Sequence, residues 1–261
     1  MEIHFEKYQG TGNDFVMIDN RSGNFKTFDL PIPELCDRRF GIGADGVIVI
    51  ENHPELDFNM IYFNSDGSQS FCGNGSRCAV AFAQSLGMID NETHFLSTDG
   101  PHYAKIEQGI VHLKMHDVHT VVQEEDHYIT NTGSPHYIIP NTNLDTLDII
   151  PIARSIRYNE TYSKEGINVN FTNHQNNYLY IRTYERGVED ETLSCGTGVT
   201  AAVIADFIER VAEPIEDYGK DVKSMGGDLH VSFDYNGEVF SNIYLSGPAK
   251  KSYEGMIQVN V

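Results

Sequence analysis

The sequence predicts an α/β (α+β) protein built from two pseudo-symmetric domains, each a strand-rich barrel around one central buried helix. Two observations predict this: an internal duplication at an offset near 120 residues, and in each half one helix-length run that is apolar nearly all round. Composition sets the limits. A chain of 261 residues has room for two ordinary domains, and 40% apolar residues with 23 glycines is a globular composition, not a disordered one. With 38 acidic against 18 basic residues the formal charge is -20, which disfavours nucleic acid and anionic lipid as partners. No apolar run approaches the roughly 20 residues of a membrane span. The opening residues, Met1 to Lys7, show neither a basic nor an apolar leader region. A soluble cytoplasmic protein is expected.

The duplication rests on four matches in one order. Pro31-Ile32 and Pro151-Ile152 each head a short helical stretch, ending near Arg39 and Arg157, at an offset of 120. Thr11 to Phe15 matches Thr132 to His136 at 121, and Gly43 to Gly46 matches Gly166 to Val169 at 123. Cys72-Gly73-Asn74-Gly75 matches Cys195-Gly196-Thr197-Gly198, also at 123. In each half a half-alternating strand, Asp57–Phe63 or Tyr178–Tyr184, runs into a polar loop and then Cys-Gly-x-Gly. The apolar runs follow, Cys78–Ala83 and Val199–Ala205, with Gly87 placed to end the first helix. Short strands at Gly46–Ile50, Val111–Met115, Leu229–Phe233 and Ser241–Leu245 fill most of the rest.

Several motifs have ordinary readings. Gly41-Ile42-Gly43-Ala44-Asp45-Gly46 fits the dinucleotide fingerprint, but a helical stretch precedes it and a strand follows, the reverse of what phosphate binding needs. His112, His116 and His119 cluster, yet on a strand Val111, Leu113 and Met115 face inward, leaving His112, Lys114 and His116 on the solvent side. The four cysteines form no secreted disulfide framework, no zinc-knuckle spacing and no redox pair. Cys36 and Cys78 lie in apolar helical contexts and read as small core residues. No metal or cofactor is expected.

Cys72 and Cys195 differ from the other two. Each precedes Gly-x-Gly at a strand-to-helix transition, so each thiol belongs at a helix N-terminus, where free N–H groups favour a thiolate and bind an anion. Two equivalent thiols suit racemisation: one takes an α-proton from one face and the other returns a proton to the opposite face.

With these residues in place the sequence resembles the diaminopimelate epimerase family. The resemblance is carried by GTGNDF (Gly10 to Phe15), GIGADG, FNSDGS, CGNGSRC and YERGVEDETLSCGTG, and it spans nearly the whole chain. It implies cofactor-independent conversion of LL-2,6-diaminopimelate to the meso form, on the route to lysine and peptidoglycan, by a homodimer. It also implies halves of 1–118 plus 249–261 and 119–248, with the C-terminal segment returning to the first. By resemblance Cys72 and Cys195 are the acid/base pair. Gly73, Asn74, Gly196 and Thr197 supply amides to the reacting carboxylate. Asn13, Asn64, Asn168 and Arg186 hold the distal end, Glu185 takes its ammonium, and His136 and Glu185 tune the thiols. The sequence departs from the commonest pattern at Ser134, where many members have asparagine, and at Gly46, where some have glutamine. The Asn64-to-Cys72 spacing is a residue short and the Glu185-to-Cys195 spacing a residue long. A proline- or hydroxyproline-type racemase of the same two-cysteine design is the alternative enzyme. A catalytically dead binding or thiol-redox module is the alternative outside enzymes.

Overall fold

The computed structural model describes residues 1–141 and 143–259. In chain order the first elements are β1 (Glu2–Gly10), β2 (Asn13–Asp19), α1 (Ile32–Cys36), β3 (Gly46–Glu51), β4 (Phe58–Asn64) and α2 (Gly73–Ser85). Next come β5 (Glu92–Ser97), β6 (Gly100–Glu107), β7 (Ile110–Lys114), β8 (Val121–Gln123), β9 (Tyr128–Asn131) and β10 (Pro135–Pro140). They are followed by α3 (Ile149–Arg157), β11 (Asn168–Gln175), β12 (Tyr178–Glu185), β13 (Asp190–Thr192) and α4 (Gly196–Arg210). Last are β14 (Ile215–Ser224), β15 (Gly227–Tyr235), β16 (Phe240–Pro248) and β17 (Lys250–Gln258). Among the described residues no helix is long and apolar enough to cross a membrane.

The chain divides into two compact units, one of Met1–Leu113 with the stretch from Gly247 onward, the other Lys114–Ser246. Positions 260 and 261 of the first half expected from the sequence lie outside the described residues. In the first unit the strand order is β17-β1-β2-β3-β4-β5-β6-β7, with β2–β3 and β4–β5 parallel and every other neighbour antiparallel. In the second it is β8-β9-β10-β11-β12-β14-β15-β16, with β10–β11 and β12–β14 parallel and the rest antiparallel. The two sequences of orientations are identical. The C-terminal strand β17 stands beside β1 as β8 stands beside β9.

Each sheet wraps one helix. α2 packs against β1, β2, β3, β4 and β6, and α4 against β9, β10, β11, β12, β14 and β15. Strand alternation explains how. Val16, Ile18, Val47, Val49, Ile61 and Phe63 form one cluster with Ile32 and Leu35 of α1 on the outer face. The alternate residues, including Ile48 and Met60, turn toward α2, where Ser76 Oγ lies 3.7 Å from Met60 Sδ. Burial on both faces is why these strands read as continuous apolar runs. In the second unit Val169 and Phe171 pack with Ile149 and Ala153 of α3.

The apolar run of α4 is buried throughout and that of α2 everywhere but at the half-buried Ala81, close to what the sequence leads one to expect. α2 stops just before Gly87, whose N–H donates to Gln84 O at 3.0 Å. Val111, Leu113 and Met115 are buried, and His112 and Lys114 are not. Two details differ. α1 ends at Cys36 rather than near Arg39, because Asp37 Oδ1 accepts from the N–H groups of Arg39 and Phe40 at 2.7 and 2.8 Å and turns the chain. The ladders also refine the repeat. Phe15 pairs with Gly46 and His136 with Asn168, so Gly46 corresponds to Asn168, an offset of 168 − 46 = 122. One residue of register exchanges the two faces of a strand, so this correction decides which side chains are equivalent.

Candidate active site

In the first unit Cys72 is the N-cap of α2, with φ -137° and ψ 108°, and its Sγ accepts from the Gly75 N–H at 3.3 Å. Gly73 and Asn74 occupy the first two helical positions, whose N–H groups have no carbonyl to meet inside the helix. Asn13, the first residue of β2, brings Oδ1 to 3.7 Å from Cys72 Sγ and 3.3 Å from Asn74 Nδ2. Its own Nδ2 donates to Asp45 Oδ2 at 2.6 Å, which fixes the amide's orientation. Behind it stands an ion cluster: Asp14 meets Lys7 and Arg38, and Arg38 also meets Asp45, each at 2.7 Å. Burial alone would raise the Asp14 pKa, but hydrogen bonds and charge from Arg38 and Lys7 outweigh it and hold it at about 2.

Asn64 ends β4 and holds the loop that leads to Cys72. Its Nδ2 donates to Ser68 O, Ser68 Oγ and Ser70 Oγ at 3.2, 3.0 and 3.2 Å, and its Oδ1 accepts from Tyr62 OH at 3.0 Å. Gly46 lies opposite Asn64 across the ladder. A Cβ there would sit 2.5 Å from both Phe63 O and Tyr62 Cε2, so the Tyr62 ring fills the space that a larger residue would take.

In the second unit Cys195 caps α4 with φ -117° and ψ 110°, but its side chain makes no cap hydrogen bond. Its Sγ lies instead 3.5 Å from Thr197 Oγ1. Thr197 Oγ1 is 2.9 Å from His136 Nε2, and His136 Nδ1 is 3.1 Å from Asn170 Nδ2. Asn170 Oδ1 accepts from Thr183 Oγ1 at 3.0 Å. Every member of this chain is buried, and burial, with the Arg186 cation adding to it, pushes the His136 pKa down to about 3. Gly196 and Thr197 hold the first two positions of α4, as Gly73 and Asn74 do in α2.

Asn168 begins β11, where it donates to Ser134 Oγ at 2.9 Å and to Pro135 O at 3.1 Å, and accepts from the Arg186 N–H at 2.9 Å. Arg186 is exposed; Nη1 donates to Glu165 O at 2.9 Å and Nη2 lies 3.4 Å from Ser134 Oγ. Glu185 is half-buried and accepts from Thr192 Oγ1 at 3.0 Å. Thus one unit gathers Cys72, Asn13 and Asn74, with Asn64 holding the adjoining loop. The other gathers Cys195, Thr197 and His136, and beside them Asn168, Arg186 and Ser134. Cys36 and Cys78 are buried, and burial raises their thiols to about 11 and about 12.

The sequence reading missed the residues that orient these groups, Asp45 behind Asn13 and Asn170 and Thr183 behind His136. A signal for the last two was present: Asn168, Asn170 and Thr172 alternate along β11 with the outward Val169 and Phe171, which makes the helix-facing side polar.

The diaminopimelate epimerase family model matches residues 5–124 and 128–252. A diaminopimelate epimerase from Flavobacterium psychrophilum is 48% identical over 256 residues, covering 96% of this chain and 98% of that protein. Among solved structures, a phenazine biosynthesis protein of the PhzF family from Bacillus anthracis superposes with a TM-score of 0.75 at 12% identity, over 99% of this chain and 100% of that one. A hydroxyproline epimerase from Agrobacterium vitis, with bound trans-4-hydroxy-L-proline, superposes with a TM-score of 0.69 at 13% identity, over 98% and 92%. The likeness to these structures is one of fold, whereas the identity over nearly the whole length is one of family: the chain belongs to the diaminopimelate epimerase family.

Proposed function

We propose that this chain epimerises LL-2,6-diaminopimelate to the meso form, with Cys72 and Cys195 as the acid/base pair and no cofactor or metal. The observation that supports this best is the equivalence of the two cysteines. Each caps the buried helix of a unit whose strand orientations are repeated in the other. One sulfur, as thiolate, takes the α-proton; the other, as thiol, gives its proton to the opposite face of the carbanion, and the roles exchange in reverse. An α-C–H beside a carboxylate is much less acidic than a thiol, and each unit of mismatch adds ~1.4 kcal/mol to the transfer. The N–H groups of Gly73, Asn74, Gly196 and Thr197 offset part of this by donating to the carboxylate as charge builds on it.

The distal end of the substrate falls to Asn13, Asn64, Asn168, Arg186 and Glu185. Arg186 offers a carboxylate its planar fork of donors, and Glu185 offers an ammonium its charge. His136 acts on Cys195 through Thr197, and Glu185 assists in setting the thiols' acidity. A substrate with no second amino-acid end would not need this set, which favours diaminopimelate over proline or hydroxyproline. The proposal extends to a cytoplasmic homodimer of halves 1–118 plus 249–261 and 119–248.

Incubation with LL-diaminopimelate in deuterium oxide tests the reaction. The expected result is meso product with one deuterium at one α-carbon, and loss of turnover with retained ligand binding in Cys72→Ala and in Cys195→Ala. Exchange into proline but not diaminopimelate would overturn the substrate. Full activity in Cys72→Ala would overturn the two-thiol mechanism.

A further inference from the structure

Arg77 sits on α2 five residues after Cys72, completely buried. Side chains on a helix lean toward its N-terminus, and the Arg77 guanidinium reaches the β1–β2 turn, where Nη2 donates to Thr11 Oγ1 at 3.3 Å. A Cβ on Gly10 would stand 3.4 Å from that Nη2 and 3.2 Å from Asn74 O, so the guanidinium lies beside the first turn of α2. The turn it grips is a tight hairpin with two left-handed residues, Thr11 at φ 52° and Gly12 at φ 85°. Threonine rarely adopts that conformation, and the next residue out of the turn is Asn13, the neighbour of Cys72 Sγ.

A cation in this place is disfavoured three times over. Burial strips its water, and the N-terminal end of a helix carries positive partial charge. Nε and Nη1 have no hydrogen-bond partner, and no carboxylate among the described residues pairs with the guanidinium. Arginine does not escape by losing its proton. The cations behind Asn13 are already matched, Lys7 from β1 and Arg38 from the loop after α1 with Asp14 and Asp45, and the His102 ring from β6, stacked on Phe71, meets Asp99 at 2.8 Å. Two sulfurs remain in the guanidinium's field, those of Cys78 and Cys72, and burial keeps the Cys78 thiol protonated.

We infer that Arg77 is a positioning residue that supplies the buried counter-charge to a Cys72 thiolate and anchors the turn bearing Asn13, so that Cys72 ionises before Cys195 in the empty enzyme. The inference rests on the acid/base reading above. The second unit carries no cation at the equivalent position. At the position equivalent to Arg77 stands Thr200, fully buried, its hydroxyl donating to Gly196 O at 3.1 Å. Cys72 Sγ also receives a cap hydrogen bond that Cys195 Sγ does not. Of the two free forms of the enzyme, the resting one therefore carries its proton on Cys195. Abstraction moves the α-proton to Cys72, Cys195 gives its proton to the carbanion, and exchange with water restores the resting form.

The test is alkylation of the full-length reduced protein by iodoacetamide across pH, read by mass spectrometry on the peptides bearing each cysteine. It reports thiol acidity and not turnover, so it fails independently of the deuterium experiment. The expected midpoint for Cys72 is lower than that for Cys195 by about one pH unit or more. In Arg77→Gln the Cys72 midpoint rises by about one unit while that of Cys195 stays, and Arg77→Lys, which keeps the charge, restores most of the difference. A Cys195 midpoint equal to or below that of Cys72 in the unsubstituted protein overturns the inference, whether or not the variants fold. Equal upward shifts in Arg77→Gln and Arg77→Lys overturn the counter-charge.

Discussion

His136 Nε2 lies 2.9 Å from Thr197 Oγ1 while its other ring nitrogen, Nδ1, faces the Asn170 amide nitrogen at 3.1 Å. An amide nitrogen only donates, so Nδ1 accepts and Nε2 carries the proton. Asn170 is held in that orientation from both sides, by Thr183 Oγ1 on its oxygen at 3.0 Å and by Tyr137 O on its nitrogen at 3.2 Å. The imidazole is therefore neutral and donates to the threonine hydroxyl, which is left to donate to Cys195 Sγ at 3.5 Å.

A stability prediction follows from this neutral state. The unfolded imidazole takes its proton near 6.5, whereas burial, with the Arg186 cation adding to it, delays protonation in the folded protein to about 3. Between those values the unfolded chain binds the extra proton, so acidification through that window favours unfolding, and the contribution is complete above it. Calorimetry is expected to show a melting temperature that falls between about pH 7 and about pH 5, with a shallower fall in His136→Gln. Identical slopes in the two proteins would mean that His136 is not held neutral by the fold.

The hydroxyl of Thr197 is the link between that imidazole and the sulfur. Thr197→Val keeps the shape and removes the donor, and a hydrogen bond to a charged group is worth about 1.5–3 kcal/mol, roughly ten- to a hundredfold in rate. The turnover number is expected to fall by that factor, with alkylation of Cys195 slowed at fixed pH and that of Cys72 unaltered. Thr197→Ser is expected to recover most of both. Parallel losses at the two cysteines would point to a general loosening of the fold instead.

The sequence made the repeat and the two thiols legible because both are local. Cys-Gly-x-Gly before an all-apolar run marks a buried helix with a cysteine at its start wherever it occurs. The long-range partners were not legible. Asp45 reaches Asn13 across 32 positions, and His136 reaches Thr197 across 61. Such pairs are set by the ladders, and the repeat read from matching glycines placed Gly46 against Val169 rather than Asn168. Arg77 was hidden for another reason: a charged residue inside an apolar helix ordinarily faces water, and nothing in its neighbours shows that this one does not.

Gly46 is expected to tolerate no side chain in this chain. A Cβ would lie 2.5 Å from Phe63 O, a backbone atom fixed in the β3–β4 ladder, and equally close to the Tyr62 ring. Overpacking of this kind costs about 1–3 kcal/mol, and at about 2–4 °C per kcal/mol for a chain of this size Gly46→Ala is expected to melt several degrees lower. Gly46→Gln is expected to be worse, since Tyr62 already fills the space and is tied to Asn64 by its hydroxyl. Unchanged melting in Gly46→Ala would show that β3 and β4 can separate there.

Arg186 has donors to spare. Of its five side-chain N–H groups, the protein engages one with Glu165 O at 2.9 Å and offers another to Ser134 Oγ at 3.4 Å, and the side chain is exposed. Its stem lies over Gly166, where a Cβ would meet Arg186 Cδ at 2.5 Å, and its own backbone N–H is held by Asn168. A fork fixed at its base and open at its tip suits the non-reacting carboxylate of the proposed substrate. Such a contact is made equally in the ground and transition states, so its loss raises KM more than it lowers kcat. Arg186→Lys keeps the charge but not the two-point grip, and KM is expected to rise about ten- to a hundredfold with kcat changed less. The opposite split, kcat reduced with KM unmoved, would place the influence of Arg186 at the reacting centre. The route would then run through His136, whose protonation the Arg186 charge opposes.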